Sequence, residues 1–169
     1  MVGSALARMG TVLAVLATSL VGLPLTAAAG CPEEIYVSIT SVDGIHMWDR
    51  ETYFKDGPGG TMTGKVTESS TISATISAGA EISVSALVST VKAQVTASAT
   101  KSRTTSIGHD YSHKVKAGKY GNLKYGSWAK KVGWKKTRVN RSCTTTVLDR
   151  GTGRVPTKAV GWRFWHSNS

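Results

Sequence analysis

The segment His109-Asp110-Tyr111-Ser112-His113, two histidines four residues apart with an acid beside one, comes nearest to a metal or acid–base constellation in this chain. On a helix, side chains at that spacing share a face and can ligate one zinc ion. The flanks here read as strand or turn, and four residues along a strand span about 13 Å. The pair is therefore expected on the surface near a turn. His46 near Asp49 has no nucleophile in a recognisable setting, and the many serines lie in low-complexity context, which leaves a Ser-His-Asp triad without support. Gly151-Thr-Gly-Arg154 reads as a turn and lacks the strand-to-helix context of a phosphate loop. No catalytic, cofactor-binding or metal-ligating residue is expected.

The elements that would position any site are mostly strands. From Thr71 to Thr100, small polar and small apolar residues alternate: Ile72, Ala74, Ile76, Ala78, Ala80, Ile82, Val84 and Ala86, then, with shifted parity, Val91, Ala93, Val95, Ala97 and Ala99. A period of two marks strands with one apolar face. Mid-tract, Ala80, Val84, Leu87, Val88, Val91 and Val95 also fall at helical spacing, with Glu81 early and Lys92 late as a helix dipole prefers. The expected order is strand, short helix near Ala80 to Lys92, strand. A continuous amphipathic hairpin is the alternative.

Before the tract, Ile35 to Val42 alternates like a strand that Asp43-Gly44 would end in a turn. Asp56-Gly57-Pro58-Gly59-Gly60 is a breaker, and Thr61 to Ser77 continues as a long strand. After the tract, strands are expected over Tyr111–Lys116, Lys119–Ser127 continuing through Trp128–Val139, Ser142–Asp149 and Val160–His166. Turns are expected at Ala117-Gly118, Asn140-Arg141 and Arg150–Arg154, with a kink at Val155-Pro156. Short strands at this spacing indicate a mainly β fold, an antiparallel β-sandwich or open barrel with one short helix in the central tract. Trp162 and Trp165, three apart, should face opposite sides of their strand.

Residues 1–30 read as a signal peptide: Arg8, an apolar run from Thr11 to Leu25, then Thr26-Ala-Ala-Ala-Gly30. Export to an oxidising exterior favours a bridge between the two cysteines, Cys31 and Cys143. Ala28-Ala29-Gly30-Cys31 also fits a loose lipoprotein pattern that would acylate Cys31, although the usual leucine three residues before the cysteine is missing. The domain organisation is then a signal peptide at 1–30, an N-terminal strand or arm with a Gly-Pro linker at 31–60, and a β-rich domain at 61–169.

Charge is lopsided. From Ser112 onward there are fourteen Lys and Arg against one acid, Asp149, whereas Gly30 to Tyr111 holds six bases and nine acids. A cationic half binds nucleic acid, anionic envelopes or acidic proteins, and export makes nucleic acid the least expected of these. The run Trp128 to Arg141 interleaves Trp and Lys, readable as a strand with Trp and Val inward and Lys outward, onto which an acidic partner can bind. A stacking or membrane-interface surface is the other reading.

The alternating tract, Ala117-Gly-Lys-Tyr-Gly-Asn-Leu-Lys-Tyr-Gly-Ser-Trp128, Val155-Pro-Thr and Gly161-Trp-Arg-Phe-Trp165 together resemble small secreted proteins of filamentous actinobacteria. Among these the chain is similar, over Thr61 to His166, to the adaptor component B of the umbrella toxin particles. The resemblance implies a non-enzymatic adaptor without cofactor. Its partners would be a lectin-type subunit and a large repeat-containing toxin subunit, with no nucleic acid and no membrane. The expected partner contacts are Ile35, Tyr36, Val37, Ile39, Trp48, Tyr53 and Phe54 of the arm, which has the alternation needed to add a strand to a sheet edge, and Trp128, Trp134 and Trp165. The alternatives are a pore-former inserting Thr71 to Thr100, which has strand length enough but no aromatic girdle, and a free-standing cationic envelope-binding module.

Overall fold

A computed structural model describes residues 30–169, so the expected signal peptide falls almost entirely outside them. In chain order the elements are β1 (Glu34–Asp56), β2 (Gly60–Lys65), β3 (Thr71–Ser73), β4 (Thr75–Ile76), α1 (Val84–Gln94), β5 (Ser102–Thr104), β6 (Asp110–Val115), β7 (Tyr120–Val139) and β8 (Thr145–Ser167). The fold is mainly β and antiparallel with one helix, and its sheets do not close into a barrel.

Three long strands carry it, in a four-stranded sheet ordered β1-β7-β8-β4, while β2 pairs β6 and β3 pairs β5 in two small sheets. Two cores lie along the long sheet. Leu87, Val88 and Val91 of α1 pack with Val132, Trp134 and Val155 in one, and Met62, Val115 and Leu123 pack with Phe54, Tyr111, Trp162 and Phe164 in the other. Burying each such aliphatic side chain contributes about 2 kcal/mol. Along β7 the inward side is odd-numbered at Leu123, Tyr125 and Ala129 and even-numbered at Val132 and Trp134. The inward face therefore changes parity between Ala129 and Val132.

The helix forms within the expected tract but begins at Val84 rather than Ala80 and runs to Gln94. Ser83 caps it by accepting a hydrogen bond from the Ala86 amide (3.1 Å), Lys92 lies in its last turn, and the buried Leu87, Val88 and Val91 make one stripe. Gly153 lets it dock, because a Cβ there would strike the Leu87 side chain. The tract is thus two short strands and a helix, and no hairpin forms. Beyond the helix the expected strand reduces to a single bridge, Ala99 to Thr157.

Several expected breaks are absent. Asp43 and Gly44 pair with Lys131 and Lys130 inside β1, so no turn forms there. Arg150 to Arg154 is also paired strand, because Gly151 and Gly153 supply flat backbone under Trp134 and Leu87 rather than a bend. Conversely, Thr61 to Ser77 is not one strand. It leaves β6 after Lys65, and a second, separate pairing of Thr71–Ser73 with β5 begins. Near Pro156 the β7–β8 register jumps from Ser127↔Val160 to Ala129↔Pro156. The Ser127 hydroxyl lies 3.0 Å from the Thr157 carbonyl, and the Thr157 hydroxyl donates to the Trp128 carbonyl at 2.7 Å. These bonds hold the bulge.

Cys31 and Cys143 form a disulfide, which occupies the sulfur that acylation would need. It ties the start of β1 to the β7–β8 turn, where the Cys31 amide also donates to the Arg141 carbonyl at 3.2 Å. Cys143 has φ 61°, a left-handed conformation unusual outside glycine. Asn140 braces the turn, accepting from the Cys143 amide on its carbonyl (2.9 Å) and from the Thr144 amide on Oδ1 (2.8 Å). No helix among the described residues is long and apolar enough to cross a membrane.

Candidate interaction surface

The register of β1, β7 and β8 assembles one aromatic–cationic cluster. Trp48 stands opposite Gly126, Tyr53 opposite Lys124, Lys124 opposite Arg163, and Trp165 opposite Asn122. These residues fall on the side of β7 turned away from Leu123 and Tyr125. Glycine at 126 is required, because a Cβ would run into the Met47 carbonyl. Between Trp48 and Tyr53 the strand bulges. The buried Thr52 hydroxyl closes that bulge, lying 2.8 Å from both the Asp49 and Tyr125 carbonyls.

Lys124 sits in the middle of the rings. Its Nζ is 3.2 Å from the Trp48 centroid and 5.0 Å from those of Tyr53 and Trp165. Tyr53 and Trp165 lie nearly parallel, 6.2 Å apart at 13°. Tyr53 donates to Asn122 Oδ1 at 2.6 Å, and buried Asn122 donates in turn to the Ser167 hydroxyl at 2.9 Å. Partial burial, aided by the Arg163 charge, holds the Lys124 ammonium below the usual lysine range. Trp48 and Tyr53 nevertheless keep 42% and 40% of their surface in solvent. The rings are thus fixed in place and still open to a partner.

Behind this cluster lies His46, buried, with Nε2 3.0 Å from the Gly161 carbonyl and Nδ1 without a partner. Trp128 packs edge-on against it at 4.8 Å and is 43% exposed. An open depression of about 460 Å³ runs on from there, lined by Ile45, His46, Met47 and Trp48 together with Lys131, Arg154 and Arg163. The aromatic cluster and the basic side chains of β7 and β8 therefore share one continuous surface.

No family model matches the sequence, and no curated protein matches it closely enough to count as a relative.

The expected contact residues are divided by this structure. Trp48, Tyr53 and Trp165 come together, with Trp128 beside them. Phe54 turns the other way, into the core with Trp162 (6.0 Å), while Trp162 and Trp165 do face opposite sides. Trp134 is a correction: at 1% exposure it is wedged over Gly151 in the core beneath α1 and offers nothing to a partner. Ile35 and Tyr36 are exposed, and Val37 and Ile39 pack partly against the α1 core. The outward backbone edge at this point is occupied by Gln94, whose side chain accepts from the Ile39 amide (3.0 Å) and donates to the Val37 carbonyl (3.2 Å). That amide satisfies the edge as a neighbouring strand would. Segment 31–60 is consequently a sheet strand, paired with β7 from Glu34 to Asp56.

His109 and His113 are exposed at β6, His113 against Phe164 at 3.9 Å and His109 against Tyr125 at 5.4 Å. Among the described residues no group of three or more His, Cys, Asp or Glu stands ready for a metal. Sequence reading missed Lys124 and Arg163 as members of the cluster. A lysine or arginine on a strand carries no mark of which rings it will meet, and only the register supplies it.

Proposed function

We propose that the protein is a secreted, non-enzymatic adaptor that binds other protein subunits of an extracellular antibacterial toxin complex, in the manner its resemblance implies. A lectin-type subunit and a large repeat-containing toxin subunit are the partners that resemblance suggests. The observation that carries a binding role is the half-exposed ring cluster of Trp48, Tyr53 and Trp165, fixed by Asn122 and Lys124 on three paired strands. Trp and Tyr dominate interface energetics because each buries a large area with few rotatable bonds, and an anchor already held in its bound geometry costs little to order.

The edge of β1 is the weaker candidate, because Gln94 already fills it at Val37 and Ile39. The pore-forming alternative would require α1 to leave its core and re-form as strand. The tagged chain, incubated with culture supernatant of the producing cells, should retain partner proteins that a Trp48→Ser/Tyr53→Ser/Trp165→Ser variant does not. Equal recovery by both, or recovery of nothing by the native chain, would refute this reading.

A further inference from the structure

The β7–β8 ladder places like charges directly opposite each other. Lys131 pairs with Arg154 and Lys135 with Arg150, two rungs on one side of the sheet. All four side chains are exposed. Among the described residues none of the four has a carboxylate within 4 Å; the ion pair present joins Lys136 to Glu81. Asp43 stands opposite Lys131 across β1 without closing on it. Like charges facing each other across a ladder repel and cost stability. Two such rungs in succession are therefore a standing expense unless an anion from outside occupies them.

Between the two rungs lie Gly133 and Thr152; the Thr40 and Ser41 hydroxyls sit over Gly133, whose amide donates to the Ser41 hydroxyl at 3.1 Å, so the ground between the rungs is polar. The rungs are about 13 Å apart along the strand, and the backbones that carry the two cations of one rung are about 5 Å apart across it. A protein partner needs apolar anchors at the centre of its interface; between the rungs stand only Gly133 and Thr152, and the exposed apolar residue nearby, Val147, lies past the Lys135/Arg150 rung at one end of the strip. The strip offers evenly placed charge over an extended, rigid track, with guanidinium groups suited to bidentate contact with phosphate. The track ends at the depression where Lys131 and Arg154 meet Arg163.

The geometry points to a binding strip for a linear, base-free phosphate polymer along the Lys131/Arg154 and Lys135/Arg150 rungs. The strip adjoins the ring cluster on which the adaptor reading rests, at the depression lined by Trp48, Lys131 and Arg154, but none of its four cations belongs to that cluster, so the rung variants and the ring variant test the two readings independently.

The test is equilibrium binding of the full mature chain to inorganic polyphosphate of defined length, across a salt series. Native protein should bind at low salt with a linear loss of log affinity against log salt. Lys131→Gln/Arg154→Gln and Lys135→Gln/Arg150→Gln should each weaken binding about tenfold and lower the slope by roughly 1.5 to 2. Lys92→Gln/Lys101→Gln, an equal charge change at exposed sites elsewhere, should stay within about twofold, and Lys131→Arg should retain binding. Circular dichroism on each variant checks that it is folded, and the charge-retaining variant keeps the comparison valid if a neutral one is not. The proposal is overturned if native protein does not bind, or if the Lys92/Lys101 control loses as much as the rung variants. It is equally overturned if charge-matched poly-glutamate or single-stranded DNA binds tenfold more tightly than polyphosphate, results that would assign the strip to an acidic protein or to nucleic acid.

Discussion

Lys124 Nζ lies 3.2 Å from the centroid of the Trp48 ring, so a cation from the central strand is held against a tryptophan from the edge strand. Attraction to the ring quadrupole opposes the cost of partial desolvation and the repulsion from Arg163. At a site this exposed the attraction is worth about 0.5–1 kcal/mol. A double-mutant cycle of Lys124→Met and Trp48→Leu should return a coupling energy in that range. Coupling indistinguishable from zero would mean that the ring is positioned by β1 alone.

His46 makes stability depend on pH. Burial chiefly, with help from the Arg163 and Lys124 charges and against the Gly161 hydrogen bond, holds its imidazole below the ordinary 6.5. Above pH 6.5 both folded and unfolded forms are neutral and the native state loses nothing; as pH falls below 6.5 the unfolded chain takes up the proton first, and stability declines. Urea midpoints measured at about pH 7.5 and about pH 5 should therefore fall further for the native chain than for His46→Gln, whose side chain does not titrate. Equal declines would show that the carboxylates account for the whole effect.

The disulfide spans a separation of 112 residues. On the chain-entropy account, closing a loop of that order stabilises by up to about 4.7 kcal/mol. Reduction, or Cys31→Ser/Cys143→Ser, should move the denaturant midpoint down by a corresponding amount. A shift equivalent to less than about 1 kcal/mol would mean that β1 is held by its ladder and cores alone.

Gln94→Ala removes both hydrogen bonds to the open edge of β1. The expected cost is about 1–2 kcal/mol in unfolding free energy. Self-association should rise as well, because bare edges template pairing with another chain. Light scattering against concentration, native beside variant, reads the second effect separately from the first.

Much of the β content, the short helix and the disulfide partners were legible because each rests on local signals: period-two alternation, helical spacing with Glu81 early and Lys92 late, and two cysteines in the whole chain. Where a glycine sits inside a long strand, the local signal misleads. Gly44, Gly151 and Gly153 look like turns, yet they are smooth rungs, two of them making room for Trp134 and Leu87. Alternation along Trp128 to Arg141 puts Trp and Val inward, which holds at Val132 and Trp134 but not at Trp128, because the inward face changes parity between Ala129 and Val132. Hence Trp128 remains open as an expected contact while Trp134 is taken up by the core. The ring cluster itself draws on Trp48, Lys124 and Trp165, and only the pairing register of three strands distant in sequence brings them together.

The bond between Cys31 and the β7–β8 turn also decides how the molecule bears tension. A pull on anything joined ahead of residue 31 would otherwise peel β1 from β7 one rung at a time, beginning at Glu34↔Val139. With the bridge closed, the load passes through sulfur directly into the far end of the central hairpin, and β1 is bypassed. Force reaching the ring cluster must then travel through the β7–β8 hairpin, so in an oxidising medium the chain behaves as a stiff coupling and, once reduced, as one that unzips.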